Sequence, residues 1–310
     1  MMQLTYADLA QLKREIKETT VKAEEDEFLM SALRFTTSRI REHLRYSFLP
    51  SNEERLLNVP PPYAESPVLL FLDRPLLSIT SVQDEDGNAM TEWDKTVANR
   101  DDSDFVAVPI NDFPKWRLRR TDGETWNQQG SADVFGDAFF AQIYVDGIWG
   151  YHSDYDNAWQ DSTDTVQDNP LAAAATTLTV SDADGSDLLG STPRFSRGQL
   201  LRIEDEYLYV TQIDTSANSL TVLRGVNGTT AASHNQNTRI DVWQTDYPII
   251  RAVTKWAAYL YNRRGSYKRT TFDGLGVTDF PEDMPEEIQG IISHYPRNVS
   301  PAPVDDFEDW

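Results

Sequence analysis

Apolar positions follow a helical period towards both ends of this chain and a period of two between them. Thr5 stands at capping-box spacing from Asp8, and Leu9, Leu12 and Ile16 then share one face, which predicts a first helix. The acidic run Glu24-Glu25-Asp26-Glu27 suits the positive end of a second helix. Its apolar stripe reads Phe28, Ala32, Phe35, Ile40, Leu44 and Phe48, with Arg34, Arg39, Arg41 and Arg45 interspersed; Pro50 and Ser51-Asn52 end it.

From about Arg55 to Tyr151 the period is two. Val68–Leu72, Leu76–Val82, Phe105–Ile110, Trp116–Arg120 and Phe139–Val145 read as strands, Asp86-Gly87-Asn88 as a turn and Pro60-Pro61-Pro62 as an extended linker. The Asp-rich stretch from Tyr151 to Asn169 reads as a surface loop. A second β region spans Thr176 to Trp243, with strands at Thr177–Val180, Gln199–Ile203, Tyr207–Ile213, Leu220–Leu223 and Thr238–Trp243. Asp246 and Pro248 open a third helix with the stripe Ile249, Val253, Trp256, Ala257 and Leu260, and Gly265 stops it. Pro285 opens a short last helix carrying Ile288, Ile291, Ile292 and Tyr295, and Pro296 ends it.

This order predicts an α+β fold. Isolated short helices are marginal in water, so the helices of residues 1–54 and 245–296 are expected to pack as one split helical bundle. Residues 55–151 form a β-rich region, 152–244 an inserted small β-barrel or sandwich domain, and 297–310 an extended acidic C-terminal tail. No internal repeat is visible.

Composition narrows the function. With 310 residues the chain has room for about two domains and a real core. It has no cysteine, which excludes disulfides, thiolate metal sites and a cysteine nucleophile. No apolar run is long enough to span a bilayer, and the polar N-terminus does not read as a signal peptide, so no membrane partner is expected. The net charge of −22 repels phosphate and argues against a general DNA-binding protein.

Catalytic and metal motifs are missing. His43, His152, His234 and His294 fall in four different elements and read as ordinary surface or boundary histidines. Asp182, Asp184, Ser186 and Asp187 resemble the start of a calcium loop. An EF-hand, however, needs Gly sixth and Glu twelfth, where Asp187 and Pro193 stand, so a solvated turn is the better account. Gly225-Val226-Asn227-Gly228-Thr229 lacks the phosphate-binding lysine and reads as a tight turn after a strand. There is no Gly-x-Ser-x-Gly elbow, and carboxylate pairs are expected in so acidic a chain. The expectation is a non-enzyme without cofactor or metal.

Charge placement says more. Arg251, Lys255, Arg263, Arg264, Lys268 and Arg269 lie in a segment, Tyr247 to Phe272, that holds no Asp or Glu. They read either as helix-end complementarity or as a subunit-interface basic segment that meets an acidic surface of a neighbouring copy, a head-to-tail contact able to close a ring. The tail carries Val304, Phe307 and Trp310 among Asp305, Asp306, Glu308 and Asp309, the pattern of an extended peptide docking into a partner's groove.

A resemblance ties these features together. Leu4-Thr5-Tyr6-Ala7-Asp8-Leu9-Ala10-Gln11-Leu12-Lys13, followed by an acidic start and a helix through Ile40-Arg41-Glu42-His43-Leu44, resembles the opening of tailed-bacteriophage head–tail connector (adaptor, or neck) proteins. Arg74-Pro75-Leu76-Leu77-Ser78-Ile79-Thr80-Ser81-Val82, with Asp86-Gly87 after it, is similar too, as is Val145-Asp146-Gly147-Ile148-Trp149-Gly150-Tyr151. Ala257-Ala258-Tyr259-Leu260-Tyr261-Asn262-Arg263-Arg264 matches the style of the family's late helix. Smaller relatives pass from the Gly-Tyr end almost directly to that helix, whereas about Gly150 to Thr245 intervenes here. Within the insert, Gly198 to Tyr207 and Leu223 to His234 resemble a small β module of phage structural proteins.

The resemblance implies a virion structural protein at the head–tail junction, assembled in the host cytoplasm. Its partners would be further copies in a homo-oligomeric ring, typically a dodecamer, the portal protein, and a tail, nozzle or neck protein. Double-stranded DNA would pass through the ring without specific binding, and Val304, Phe307 and Trp310 would form a portal-docking tail. An acidic wall agrees with this, because it denies phosphates the cation contacts that drive nonspecific binding. A second reading is a carbohydrate- or receptor-binding module, expected to gather Trp149, Tyr151 and Trp159 in one exposed groove. A third, a carboxylate-based hydrolase, would need two carboxylates about 5–9 Å apart in a cleft.

Overall fold

The computed structural model describes residues 4–16, 23–59, 68–84, 86–93, 102–126, 142–263 and 284–296. Among them the chain is α+β and mostly β, with four α-helices and two antiparallel sheets of five and six strands. The fold forms two compact units, one drawn from Met1–Leu44 and Ala158–Pro296, the other from Arg45–Asn157.

In the first unit, helix α1 is Leu9–Ile16, α2 Asp26–Leu44, α3 Tyr247–Asn262 and α4 Glu286–Ile292. The capping box of α1 begins three residues later than the sequence suggests. Gln11 N–H donates to Asp8 Oδ1 at 2.8 Å, and Asp8 N–H donates to Gln11 Oε1 at 3.0 Å. Thr5, which does not cap the helix, joins it to the sheet instead. Its hydroxyl donates to Gly198 O at 3.2 Å and lies 3.1 Å from Tyr209 Oη. Helix α2 stops at Leu44, because Arg45 takes a positive φ of 66°. Its buried face is Leu29, Leu33, Ile40 and Leu44; Phe28 and Phe35, expected in the core stripe, are 41% and 48% exposed and meet Tyr261 and Trp256 of α3 with ring centroids 6.1 and 6.0 Å apart. Helix α3 contacts α1, α2 and α4, and seats Ile249, Val253, Trp256, Ala257 and Tyr261.

The acidic opening of α2 pins three elements. Tyr261 of α3 donates to Glu25 Oε2 at 2.5 Å, Lys13 of α1 lies 2.6 Å from Asp26, and Arg197 lies 2.7 Å from Glu27.

Five strands, β1 to β5, precede this unit's sheet in the chain and belong to the other unit: Ser51–Asn58, Leu69–Gln83, Phe105–Val108, Lys115–Arg120 and Gln142–Trp149 in that order. The sheet of the first unit runs β6 (Trp159–Thr165), β11 (Arg239–Trp243), β8 (Leu200–Ile203), β9 (Glu206–Asp214), β10 (Ser219–Leu223), β7 (Thr177–Thr179) in spatial order. The expected surface loop from Tyr151 to Asn169 is thus in part a strand. Its inward positions are polar, Ser162 and Asp164, which hides it from a hydrophobic period. Behind the sheet lies a core of Val166, Leu178, Phe195, Leu201, Ile203, Leu208, Val210, Leu220 and Ile240.

The second unit orders its strands β1, β5, β2, β4, β3. Strand β1 stands where the sequence predicts the end of a helical segment. It is a polar edge strand that buries Leu57 and takes the Trp149 indole N–H on Glu53 O at 2.9 Å. The two strands expected at 68–72 and 76–82 are one. Pro75 lies within it, where the register with β4 shifts, so its missing N–H breaks no continuous ladder. Beyond that shift, β2 pairs with β5: Leu76 with Trp149, Ile79 with Gly147 and Val82 with Val145. A Cβ on Gly147 would lie 2.2 Å from Ser78 O, so only glycine allows this approach.

Candidate functional site

The conspicuous polar site is buried in the six-stranded sheet of the first unit. Glu206 opens β9 and is 1% exposed. Arg224, just past β10, grips it with two bonds, Nε to Oε1 at 2.6 Å and Nη2 to Oε2 at 2.7 Å. The N–H groups of Gly225 and Ala232 donate to the same carboxylate at 3.0 Å each. His234, also 1% exposed, sets its Nε2 2.8 Å from Glu206 and its Nδ1 2.7 Å from Glu204. Arg224 spends its remaining donors on the carbonyls of Ala172, Ala175 and Ala232. Burial pushes the Glu206 carboxyl up, but Arg224, the Ala232 N–H and His234 outweigh it and hold the group below the usual carboxylate range.

The buried polar atoms of Glu206, Arg224 and His234 are engaged with one another, with Glu204 or with backbone. Its chemistry is structural: it locks the Gly225–Ala232 loop onto β9. Gly225 has a φ of 59°, and a Cβ there would lie 2.9 Å from Ala231 N. His234, expected at the surface or a boundary, is a core residue because two carboxylates satisfy its ring.

A second cluster explains β6. The Asp164 carboxylate accepts from the N–H groups of Thr165, Ser181 and Asp182 at 2.7, 2.9 and 3.0 Å, and from Arg194 at 2.7 Å. Burial raises this carboxyl, and the backbone donors and Arg194 bring it below its ordinary value. In the calcium-like segment, Asp182 accepts from Gly185 N–H, and Asp187 accepts from the N–H groups of Leu189 and Ser191. Among the described residues, no group of three or more His, Asp or Glu is placed to hold a metal ion.

Of the basic segment, Arg251, Lys255 and Arg263 lie within the described residues, and Arg264, Lys268 and Arg269 lie outside them. Arg251 is exposed on α3. Lys255, one turn on, pairs with Glu287 of α4 and holds that carboxyl below its ordinary value. Arg263 caps the helix and stacks 4.5 Å from the centre of the Tyr259 ring. Val304, Phe307 and Trp310 lie outside the described residues.

The aromatic trio is not one exposed groove. Trp149 is buried under β1. Tyr151 stacks on Tyr46 with centroids 5.5 Å apart. Trp159 packs on Trp243 and Tyr207, 5.0 and 5.2 Å away, with the Arg202 guanidinium 4.7 Å from its ring. No helix among the described residues is long and apolar enough to cross a membrane. Compared with protein-family models and with curated proteins, the chain matches none.

Proposed function

We propose that this chain is a head–tail adaptor of a tailed bacteriophage, a structural protein without catalytic activity. In this reading it forms a ring beneath the portal, extends the DNA channel and docks tail or neck components. The helices of the two chain ends act as a split bundle in the ring wall, and the second sheet closes as a small inserted barrel.

The observation that supports the reading most is the pairing of two family-like segments. Leu76–Val82 and Val145–Trp149 stand far apart in the chain, yet they form adjacent antiparallel strands, paired across two register shifts, with Gly147 seated on Ser78 O. Two unrelated chance resemblances have no reason to be cross-strand partners. The buried Glu206–Arg224–His234 network adds support of a different kind. It gives Glu206, Arg224 and His234 a structural purpose, in keeping with a virion part.

The sugar-binding reading asked for an exposed aromatic groove. Trp149 is buried and already hydrogen-bonded, which removes one of its three residues.

The test is electron microscopy of the purified chain, alone and mixed with the portal protein of the same genome. Rings with an open channel, stacked on portal rings in the mixture, are expected. A monomer that ignores the portal refutes the proposal. Within it, reversing the charge of Arg263 and Arg264 weakens ring assembly, and deleting Arg297–Trp310 weakens portal binding; normal assembly or unchanged binding removes those two parts separately.

A further inference from the structure

The outer face of the five-stranded sheet carries a cationic aromatic patch in a chain whose net charge is −22. Strands β2 and β4 pair Leu69 with Arg119, Leu70 with Leu118 and Phe71 with Arg117. Leu70 and Leu118 are buried, so the alternation of a strand sends Phe71, Arg117 and Arg119 to the opposite face. There Phe71 is 52% exposed, and both arginines are exposed. The Arg117 guanidinium lies 5.1 Å from the Phe71 ring centre. Among the described residues neither Arg117 nor Arg119 meets a carboxylate. Three of the nearby acids are spent elsewhere: Asp73 on Arg55, and Asp122 and Glu124 on buried Arg120. On β3, Val106 and Val108 sit opposite Arg119 and Arg117; Val106 is buried and Val108 half-buried.

Two guanidinium groups without a carboxylate partner among the described residues, flanking an exposed ring, fit a peptide that alternates acids with aromatics. The chain contains such a peptide. Residues 297–310, beyond the last described residue, hold Asp305, Asp306, Glu308 and Asp309 against Arg297 alone, with Phe307 and Trp310 among them. We infer that the Phe71–Arg117–Arg119 face is the docking surface for this acidic aromatic segment. Its carboxylates meet the arginines and its rings cover Phe71. The inference goes beyond the adaptor reading and concerns the chain without a portal, where the tail rests on this face; in the adaptor reading the portal competes for the same segment.

The test uses the full chain with its own tail neutralised, by Asp305→Asn, Asp306→Asn, Glu308→Gln and Asp309→Asn, so that the patch is open. A fluorescein-labelled peptide of residues 297–310 is titrated against it and followed by anisotropy. Binding that weakens with added salt is expected, as is a loss of about tenfold when Arg117→Ser and Arg119→Ser are added. Both arginines are exposed, and an unchanged melting curve verifies that this variant is folded. A peptide that binds the patch variant equally well, or binds neither protein, overturns the inference. So does a duplex DNA oligonucleotide that binds the patch where the peptide does not.

Discussion

Arg224→Met removes the guanidinium that compensates a carboxylate buried to 1% exposure. Glu206 loses two bonds of 2.6 and 2.7 Å, and the carbonyls of Ala172, Ala175 and Ala232 lose a donor. The methionine stem refills much of the volume, so the cost is mainly electrostatic. Breaking one side of a buried ion pair costs about 3–5 kcal/mol, because the other charge stays buried. That is a large fraction of the roughly 5–15 kcal/mol that holds a typical domain together. Removing both charges, Glu206→Met with Arg224→Met, should cost less than the sum of the two single changes. Because the molecule has two units, the readout should be local: hydrogen exchange of the β9–β10 peptides, followed by mass spectrometry across a urea series. A loss of protection worth under about 1 kcal/mol in Arg224→Met, or strict additivity in the double variant, refutes the reasoning. The same network sets an acid limit. The folded Glu206 pKa is depressed, so its contribution is complete above the ordinary glutamate pKa near about 4.3 and is lost as pH falls through the lower folded value. Protection of β9–β10 should therefore drop on acidification below about pH 4.

Gly147→Ala should cost about 3 kcal/mol or prevent folding, since its Cβ would fall 2.2 Å from Ser78 O; an unchanged melting temperature refutes this close approach. Asp8→Asn keeps the acceptor for Gln11 N–H but removes a carboxylate whose pKa burial raises. A raised folded pKa contributes stability at low pH that disappears as pH rises through it, so Asn should match or exceed Asp in melting temperature at pH 7 and lose that advantage near pH 3. Asp164→Asn keeps one acceptor oxygen of two and should destabilise by about 2 kcal/mol, read as lost exchange protection in β6 and in the Ser181–Asp182 backbone.

Elements with an apolar period are legible in the sequence: the four helices and most strands, from Leu220–Leu223 to Thr238–Trp243, lie close to their expected places. Legibility fails where burial is polar. Strand β6 hides Ser162 and Asp164 inside, and β1 buries only Leu57, so neither repeats an apolar signal. The end of α2 is obscured for another reason: the aromatics Tyr46 and Phe48 continue the apolar run but serve the other unit's cluster with Tyr151. The glycines and arginine of Leu223 to His234 are visible as a motif. Their shared partner Glu206 is not, because a carboxylate in so acidic a chain carries no mark of burial.

The bond between Thr5 and Gly198 joins positions 193 residues apart, and Leu9 N–H reaches Arg197 O beside it. On the ribosome, at about 5–20 residues per second, α1 waits roughly 10–40 s before its anchor has been made. The intervening five-stranded sheet draws all its strands from Ser51–Trp149 and needs no such wait. Synthesis therefore favours an order in which the first sheet completes early, while α1 and α2, already outside the tunnel, stay unsecured until the second sheet and α3 emerge. A chaperone acting on this chain would find its clients in those two helices, with Leu12, Leu29, Leu33 and Ile40 still uncovered.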